Sequence, residues 1–286
     1  MVVLPPLSAW RDLVDRALRE DLGPGDATSP QVFPPDHPGE AAIESRQPLV
    51  VCGLPVAARV FDTLDPRLSF TPLRAEGELL PAGCVLAEVS GPLLGILAAE
   101  RTALNFLSRL CGIATLTRRY VEAVAGTGAR ILDTRKTVPG WRVLDKYAVA
   151  VGGGHNHRMG LHDGVLVKDN HVVGAGGVAA AVKSVRAHAP AHLRVQVEVE
   201  SEAQAEEALA AGADLLLFDN RSVDELRGLV ARFRDRAVLE ASGGIDLESV
   251  RAVAETGVHR ISVGALTHSA PGADLALEVR EGGARP

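Results

Sequence analysis

The chain is 286 residues long with a formal charge of −6; apolar residues make up 47% of it and aromatic residues 3%. That suffices for a sizeable core of mostly Ala, Val and Leu in one large or two smaller domains, and the net acidity argues against a general nucleic-acid binder. No run of about 18 apolar residues offers a membrane span, the N-terminus lacks the basic start and apolar core of a secretory signal, and Cys52, Cys84 and Cys111 are too scattered for a disulfide framework or a zinc site, which together predict a cytoplasmic protein.

In chain order, the first predicted element is a helix over residues 8–20, SAWRDLVDRALRE, capped by Ser8, with Trp10, Leu13, Val14, Ala17 and Leu18 on one face. The DLGPGDATSP that follows ends it with alternating glycine and proline. From about residue 40 to 90 come short β-like runs, AAIESRQPLVVCG, RLSFTPL, GELL and CVLAEVSGP, with a helix predicted over 55–64 between them. Residues 93–125 read as a long helical region that Gly112 bends or divides. Leu97, Arg101, Leu104 and Ser108 share one of its faces, so Arg101 sits in apolar company, either snorkelling or functional.

After residue 129 strand-like and helix-like segments alternate, as in parallel α/β folds. Six strands are predicted, at 130–133, 164–167, 194–199, 214–218, 237–240 and 259–263. Helices lie between them, for example at 201–211 and at 246–256, the latter capped by Asp246. Each strand ends in polar or small residues: Asp133 to Lys136, Lys168 to His171, Glu198 to Glu200, Asp219-Asn220, Ser242 to Gly244, and Gly264-Ala265. Barrel enzymes draw their sites from the carboxyl ends of several strands. The series therefore predicts a barrel, with fewer strands than the usual eight.

The densest chemistry lies between Asp133 and His171. Arg135, Lys136, Arg142, Lys146, His155, His157, Arg158, His162, Lys168 and His171 are interleaved there with glycines. A cation at the end of a buried strand is costly unless an anion meets it, and glycine lets backbone approach a ligand closely. A solvated basic face is the alternative; its concentration in an acidic chain favours a pocket for a multiply anionic small molecule. Glu198 and Asp219, on successive strand ends, suit Mg²⁺ held together with substrate phosphates, or they pair with Arg135 or Lys168. Ser242-Gly243-Gly244 and Val263-Gly264-Ala265 follow the last two strands, where glycine loops cradle phosphate. His155 and His157 lack a third ligand at a zinc spacing, and Lys168 has the chemistry of a Schiff-base lysine.

ERTALNFLSRLCGIATLT (100–117), DTRKTVPGWR (133–142), DKYAVAVGGGHNHRMGLHDG (145–164), KDNH (168–171), EVE (198–200), FDN (218–220), EASGG (240–244) and ISVGALTHS (261–269) follow one another in the order of a known family. With DLGPGDATS (21–29) they resemble quinolinate phosphoribosyltransferase over nearly the whole chain. Val138 and Trp141 depart from the pattern without removing a charge. The resemblance implies an N-terminal α/β sandwich domain over residues 1–110, to which 270–286 returns, and an incomplete α/β barrel over 111–269. It implies a pentosyltransferase of NAD synthesis that turns quinolinate and phosphoribosyl pyrophosphate into nicotinate mononucleotide, CO₂ and pyrophosphate.

By the same resemblance, Arg101, Thr134, Arg135, Lys136, His157, Arg158 and Lys168 surround quinolinate and neighbouring phosphate oxygens. Glu198 and Asp219 face the ribose and its Mg²⁺, directly or through water. Ser242, Gly243, Gly244, Val263, Gly264 and Ala265 bind the 5-phosphate. Lys136, Glu198 and Asp219 are the catalytic candidates, Lys136 as proton donor to the ring. The implied assembly is a homodimer, open to further association, in which Arg101 reaches the partner's active site. Three rivals share the pocket or the fold: a paralogue for another anionic ring, a barrel aldolase using Lys168, and a non-catalytic sensor of phosphoribosyl ligands. The full set of cations and carboxylates favours the quinolinate enzyme.

Overall fold

The computed structural model describes residues 2–280. Leu7–Ala9 form a 3-10 turn, and helix α1 (Arg11–Leu22) follows it. Ser8 thus lies in the turn rather than at the expected cap, and the Trp10 indole N–H donates to the Pro5 carbonyl. A short α2 (Ser29–Val32) precedes strands β1 (Pro38–Ser45) and β2 (Leu49–Val50). Helix α3 (Leu54–Leu64) buries Val56, Ala57, Val60 and Phe61, the helical spacing of an amphipathic face. The Glu76 carboxylate accepts the N–H groups of Gly53 and Leu54 and satisfies the open start of that helix. Strands β3 (Ser69–Pro72), β4 (Leu79–Leu80) and β5 (Val85–Pro92) follow.

Helix α4 (Leu93–Ala123) runs 31 residues without the division expected at Gly112. A Cβ at residue 112 would lie 2.1 Å from the Pro271 carbonyl oxygen, so the glycine serves a close approach of backbone, not a break. Strand β6 (Arg130–Leu132), α5 (Arg142–Val151), β7 (Val165–Val167), α6 (Asp169–Ala175), α7 (Val178–His188) and β8 (Val195–Val199) come next. They are followed by α8 (Glu202–Ala210), β9 (Leu215–Asp219), α9 (Val223–Phe233), β10 (Val238–Ser242), α10 (Val250–Glu255), β11 (Arg260–Ser262), α11 (Ala265–His268) and β12 (Leu275–Arg280). All six predicted parallel strands are present. The predicted helix 246–256 starts late: Asp246 Oδ1 accepts the N–H groups of Glu248 and Ser249 in a turn, and α10 begins only at Val250.

The chain forms two compact units. The first runs through Arg118 and takes up Val138–Gly153 and the chain from Ser269 on. Its main sheet is antiparallel, in the order β12-β1-β5-β3, and β2 pairs with β4 beside it. Ile43 of β1 stands opposite Leu277 of β12 and Ala87 of β5, all three buried. The boundary expected near residue 110 falls inside α4, and Arg142 and Lys146 of the cationic stretch belong to this unit rather than to the barrel. Here Arg109 grips the buried Asp145 with two bonds of 2.8 and 2.7 Å and lies over the Trp141 ring, which stacks on Phe106. Trp141, the departure from the family pattern, is thereby a packed residue.

The second unit is Arg119–Thr137 with Gly154–His268. Its six parallel strands run in the order β6-β11-β10-β9-β8-β7, an incomplete barrel with β6 and β7 at its two edges. Because β6 pairs with the last barrel strand, β11, the chain must leave one edge and re-enter at the other. That connection is the segment richest in chemistry. Parallel pairing also sets all the strands' carboxyl ends on one side.

Candidate active site

The β6 edge is extended by a parallel bridge between Leu132 and His155. The His155 N–H donates to the Ile131 carbonyl, and the Asp133 N–H to the His155 carbonyl. Asp133 is fully buried and accepts the Asn156 side-chain amide at 2.6 Å and the His157 N–H at 2.8 Å. This carboxylate is what holds residues 156–158 at the barrel edge.

Arg158 follows directly. Its Nη1 donates to the Gly164 carbonyl at 2.9 Å. Burial lowers the pKa of its guanidinium, and the positive charge of Arg135 lowers it further, against a smaller opposing pull from Asp163. Arg135 thus adds like charge to the surroundings of Arg158, which an anionic ligand would offset. A cavity of about 470 Å³ opens beside Asn156, His157, Arg158, Arg194, Gln196 and Arg260, toward the amino ends of the strands, and Arg135, Lys168, Glu198 and Asp219 do not line it. The His157 ring lies 3.1 Å from Gln196 Oε1 and 3.4 Å from Glu240 Oε1. Gln196 Nε2 in turn donates to Glu240 Oε2 at 3.0 Å. Glu240 is completely buried. Burial raises its pKa, but the bond and charge of His157 and the bonds from Gln196 and Ser262 outweigh that and leave it below the ordinary value.

On the neighbouring strand ends, Thr134 Oγ1 accepts the Lys136 N–H at 3.0 Å, and the Lys136 carbonyl accepts the Thr267 hydroxyl at 2.8 Å. A Cβ at Gly264 would come within 3.0 Å of Lys136 Cδ and 3.1 Å of His268 Nε2, so the glycine makes room for both side chains. Gly243 has a φ of +88°, and a Cβ there would lie 2.3 Å from Asn220 Oδ1. Asn220 itself takes a left-handed φ of 53° and donates its N–H to the Ser242 carbonyl at 2.8 Å. Its side-chain amide donates to Asp219 Oδ2 at 2.8 Å. The loops after β9 and β10 are therefore locked together, with Asp219 and Ser242 as paired residues of adjacent strands.

Lys168 and Glu198 form the ion pair expected as the alternative to metal binding, at 3.5 Å. The Lys168 N–H donates to His171 Nδ1, which gives that histidine a capping role at the start of α6. Arg101 is exposed on α4 in the first unit, while Lys146 is buried there. Among the described residues no group of three His, Cys, Asp or Glu side chains could hold a metal ion. Glu198 and Asp219 by themselves fit a hard cation whose remaining ligands are phosphate oxygens and water. Gln196 and Glu240 join this site without having been among the expected residues; their signal in the sequence is a polar side chain within an otherwise apolar strand.

An open parallel barrel with cations, carboxylates and glycine loops at its strand ends defines an enzyme of the α/β-barrel class that works on multiply anionic substrates. The chain belongs to the quinolinate phosphoribosyl transferase family: residues 26–111 match the family's N-terminal domain and residues 113–278 its C-terminal domain. It is 44% identical over 277 residues to the carboxylating nicotinate-nucleotide pyrophosphorylase of Mycobacterium leprae, covering 95% of this chain and 97% of that one. The probable carboxylating nicotinate-nucleotide pyrophosphorylase of Synechocystis is 40% identical over 282 residues, with 98% and 95% covered. Among solved structures, the nicotinate-nucleotide pyrophosphorylase of Francisella tularensis superposes with a TM-score of 0.93 at 39% identity, covering 96% of this chain and 98% of that one.

Proposed function

We propose that the chain is a quinolinate phosphoribosyltransferase of NAD synthesis, which joins quinolinate to phosphoribosyl pyrophosphate and releases CO₂ and pyrophosphate. The observation that carries this reading is the Arg158 guanidinium held by the Gly164 carbonyl at the barrel edge, with the positive charge of Arg135 acting on it. Quinolinate bears two adjacent carboxylates, which neutralise two guanidiniums at once. Lys168 adds a third cation, steered by Glu198. The 5-phosphate of the ribosyl donor fits the loops of Ser242-Gly243-Gly244 and Val263-Gly264-Ala265, and the Lys136 stem lies beside Gly264.

The chemistry needs no protein nucleophile. As the bond from ribose C1 to pyrophosphate breaks, the pyridine nitrogen attacks the carbon and becomes a pyridinium. The electron-poor ring then loses the carboxylate next to nitrogen as CO₂, and the ring carbon takes up a proton. Arg135, Arg158 and Lys168 orient the dicarboxylate, and Glu198 and Asp219 face the ribose, so positioning and charge supply the rate enhancement. Lys136 is the proposed proton donor. Glu198 and Asp219 would also hold Mg²⁺ with the donor's phosphate oxygens, where the ion supplies neutralising charge for the leaving pyrophosphate.

The proposed assembly is a homodimer in which the exposed Arg101 enters the partner's active site, and the proposed location is the cytoplasm, where the free Cys52, Cys84 and Cys111 stay reduced. No described helix is long and apolar enough to cross a membrane. Arg135→Ala tests the carrying observation. It should lower kcat/KM for quinolinate by about 100-fold or more. A folded variant with near-normal turnover would remove Arg135 from the site.

A further inference from the structure

The proposed reaction occupies the carboxyl ends of the barrel strands. The cavity of about 470 Å³ lies toward their amino ends and has no task in it. Its volume is that of a small-molecule pocket, roughly 300–1,000 Å³. Val165, Leu215 and Arg260 line it from the first residues of β7, β9 and β11, and Leu193 and Arg194 from the segment before β8. Gln196 and Glu240 stand between this cavity and the carboxyl ends. Both are buried, and the 3.0 Å bond between them crosses the barrel interior from β8 to β10. Glu198 and Ser242 come two residues later on the same two strands, on the same face and one step nearer the carboxyl ends. His157 and Arg158 border the cavity as well. With those two assigned to quinolinate, the charge left without a partner molecule is that of Arg194 and Arg260.

Arg260 is half-buried and Arg194 exposed, and neither has a carboxylate partner among the described residues. Glu240 is in register with Arg260, but its two oxygens face Gln196 and His157. On the other side Arg260 is in register with Arg130, a further cation. Asp163 is the one carboxylate in the lining, and it accepts the N–H groups of Met159 and Gly160 at 2.7 and 2.9 Å. A guanidinium partly withdrawn from water without a countercharge is costly until an anion meets it. In a chain of charge −6 such a cluster is not general basicity. Guanidiniums grip phosphate with paired bonds, and Val165, Leu193 and Leu215 offer an apolar wall to the body that carries it. We propose that the amino-side cavity is a second anion site, in which Arg194 and Arg260 hold the phosphate of a small organic phosphate whose apolar part lies on Leu193 and Leu215. Barrel enzymes do their chemistry at the carboxyl ends, so this site binds its ligand and does not transform it. It goes beyond the quinolinate reading and does not depend on it.

The test is calorimetric titration of the full chain with phenyl phosphate, and with inorganic phosphate as the headgroup alone. The unaltered protein and Lys168→Ala, which weakens the carboxyl-end site, should both show a phenyl phosphate site that inorganic phosphate fills less tightly. The double variant Arg194→Gln with Arg260→Gln should weaken that site about tenfold or more, with quinolinate turnover unchanged. If the double variant does not fold, Arg194→Glu is read the same way, since that side chain is exposed and its reversal repels the phosphate. No saturable binding to the unaltered protein up to roughly 10 mM overturns the proposal. So does unchanged affinity in a folded arginine variant, or binding that disappears in Lys168→Ala. The titration needs no substrate, so its failure is distinguishable from a failure of quinolinate turnover.

Discussion

Lys168 Nζ lies 3.5 Å from a Glu198 carboxylate oxygen, a bond that ties the end of β7 to the end of β8. The two side chains are 46% and 19% exposed, so the pair contributes only about 0–1 kcal/mol to stability. Its role is to place charge. Lys168→Ala should cut kcat/KM for quinolinate by about 100-fold while the melting temperature moves by only about 2–4 °C. Kinetics and calorimetry on one preparation check both halves.

The lock between the β9 and β10 loops makes a second expectation. Gly243→Ala forces a Cβ to 2.3 Å from Asn220 Oδ1 at a φ of +88°. The variant should lose about 1–3 kcal/mol of stability and show a raised KM for phosphoribosyl pyrophosphate. Urea unfolding and donor titration measure the two effects separately. An unchanged donor KM in the destabilised variant would detach this loop from phosphate binding.

Stability away from the barrel concentrates on Arg109. Its bidentate grip is the countercharge for the fully buried Asp145, whose carboxyl is already pushed up by burial against the pull of Arg109. Arg109→Leu strands that carboxylate and should cost about 3–5 kcal/mol, read by denaturant unfolding.

Acid should act on Glu240. Its folded pKa lies below the ordinary 4.5, so its stabilising contribution is fully present above the unfolded value and is lost as pH falls through the folded one. Glu240→Gln lacks that contribution throughout. The stability gap between the two proteins should therefore be widest at neutral pH and shrink in acid, which parallel urea titrations at the two pH values would show.

The proposed role of Arg101 is checked by subunit mixing. Arg101→Ala and Lys168→Ala should each be nearly inactive alone. Randomly reassorted dimers would restore roughly a quarter of the activity, since half the dimers are mixed and one of the two sites in each is intact. No recovery after verified exchange would count against a shared site.

Much of this architecture was legible because it depends on local pattern. LLLFD and VQVEV are short apolar runs ending in carboxylates, and both became strands whose ends carry the site. The pairing of Lys168 with Glu198 followed from their places on successive strand ends. The inner network was hidden for a physical reason. Gln196 and Glu198 alternate with Val195, Val197 and Val199, a pattern that reads as a polar face turned to solvent. In an open barrel such a face turns to the interior, where Gln196 meets Glu240. Gly112 looked like a breaker because its neighbour, Pro271, comes from the far end of the chain. The same limit applies to Arg142 and Lys146, which stand in line with the site cations but compact with the first unit.

The most direct test of the central claim is a turnover assay with quinolinate carrying ¹³C in the carboxylate next to nitrogen, phosphoribosyl pyrophosphate and Mg²⁺, with all products followed together. Nicotinate mononucleotide, labelled CO₂ and pyrophosphate should appear in equal amounts. Folded protein that yields none of them, or that releases CO₂ without forming the nucleotide, would contradict the assignment.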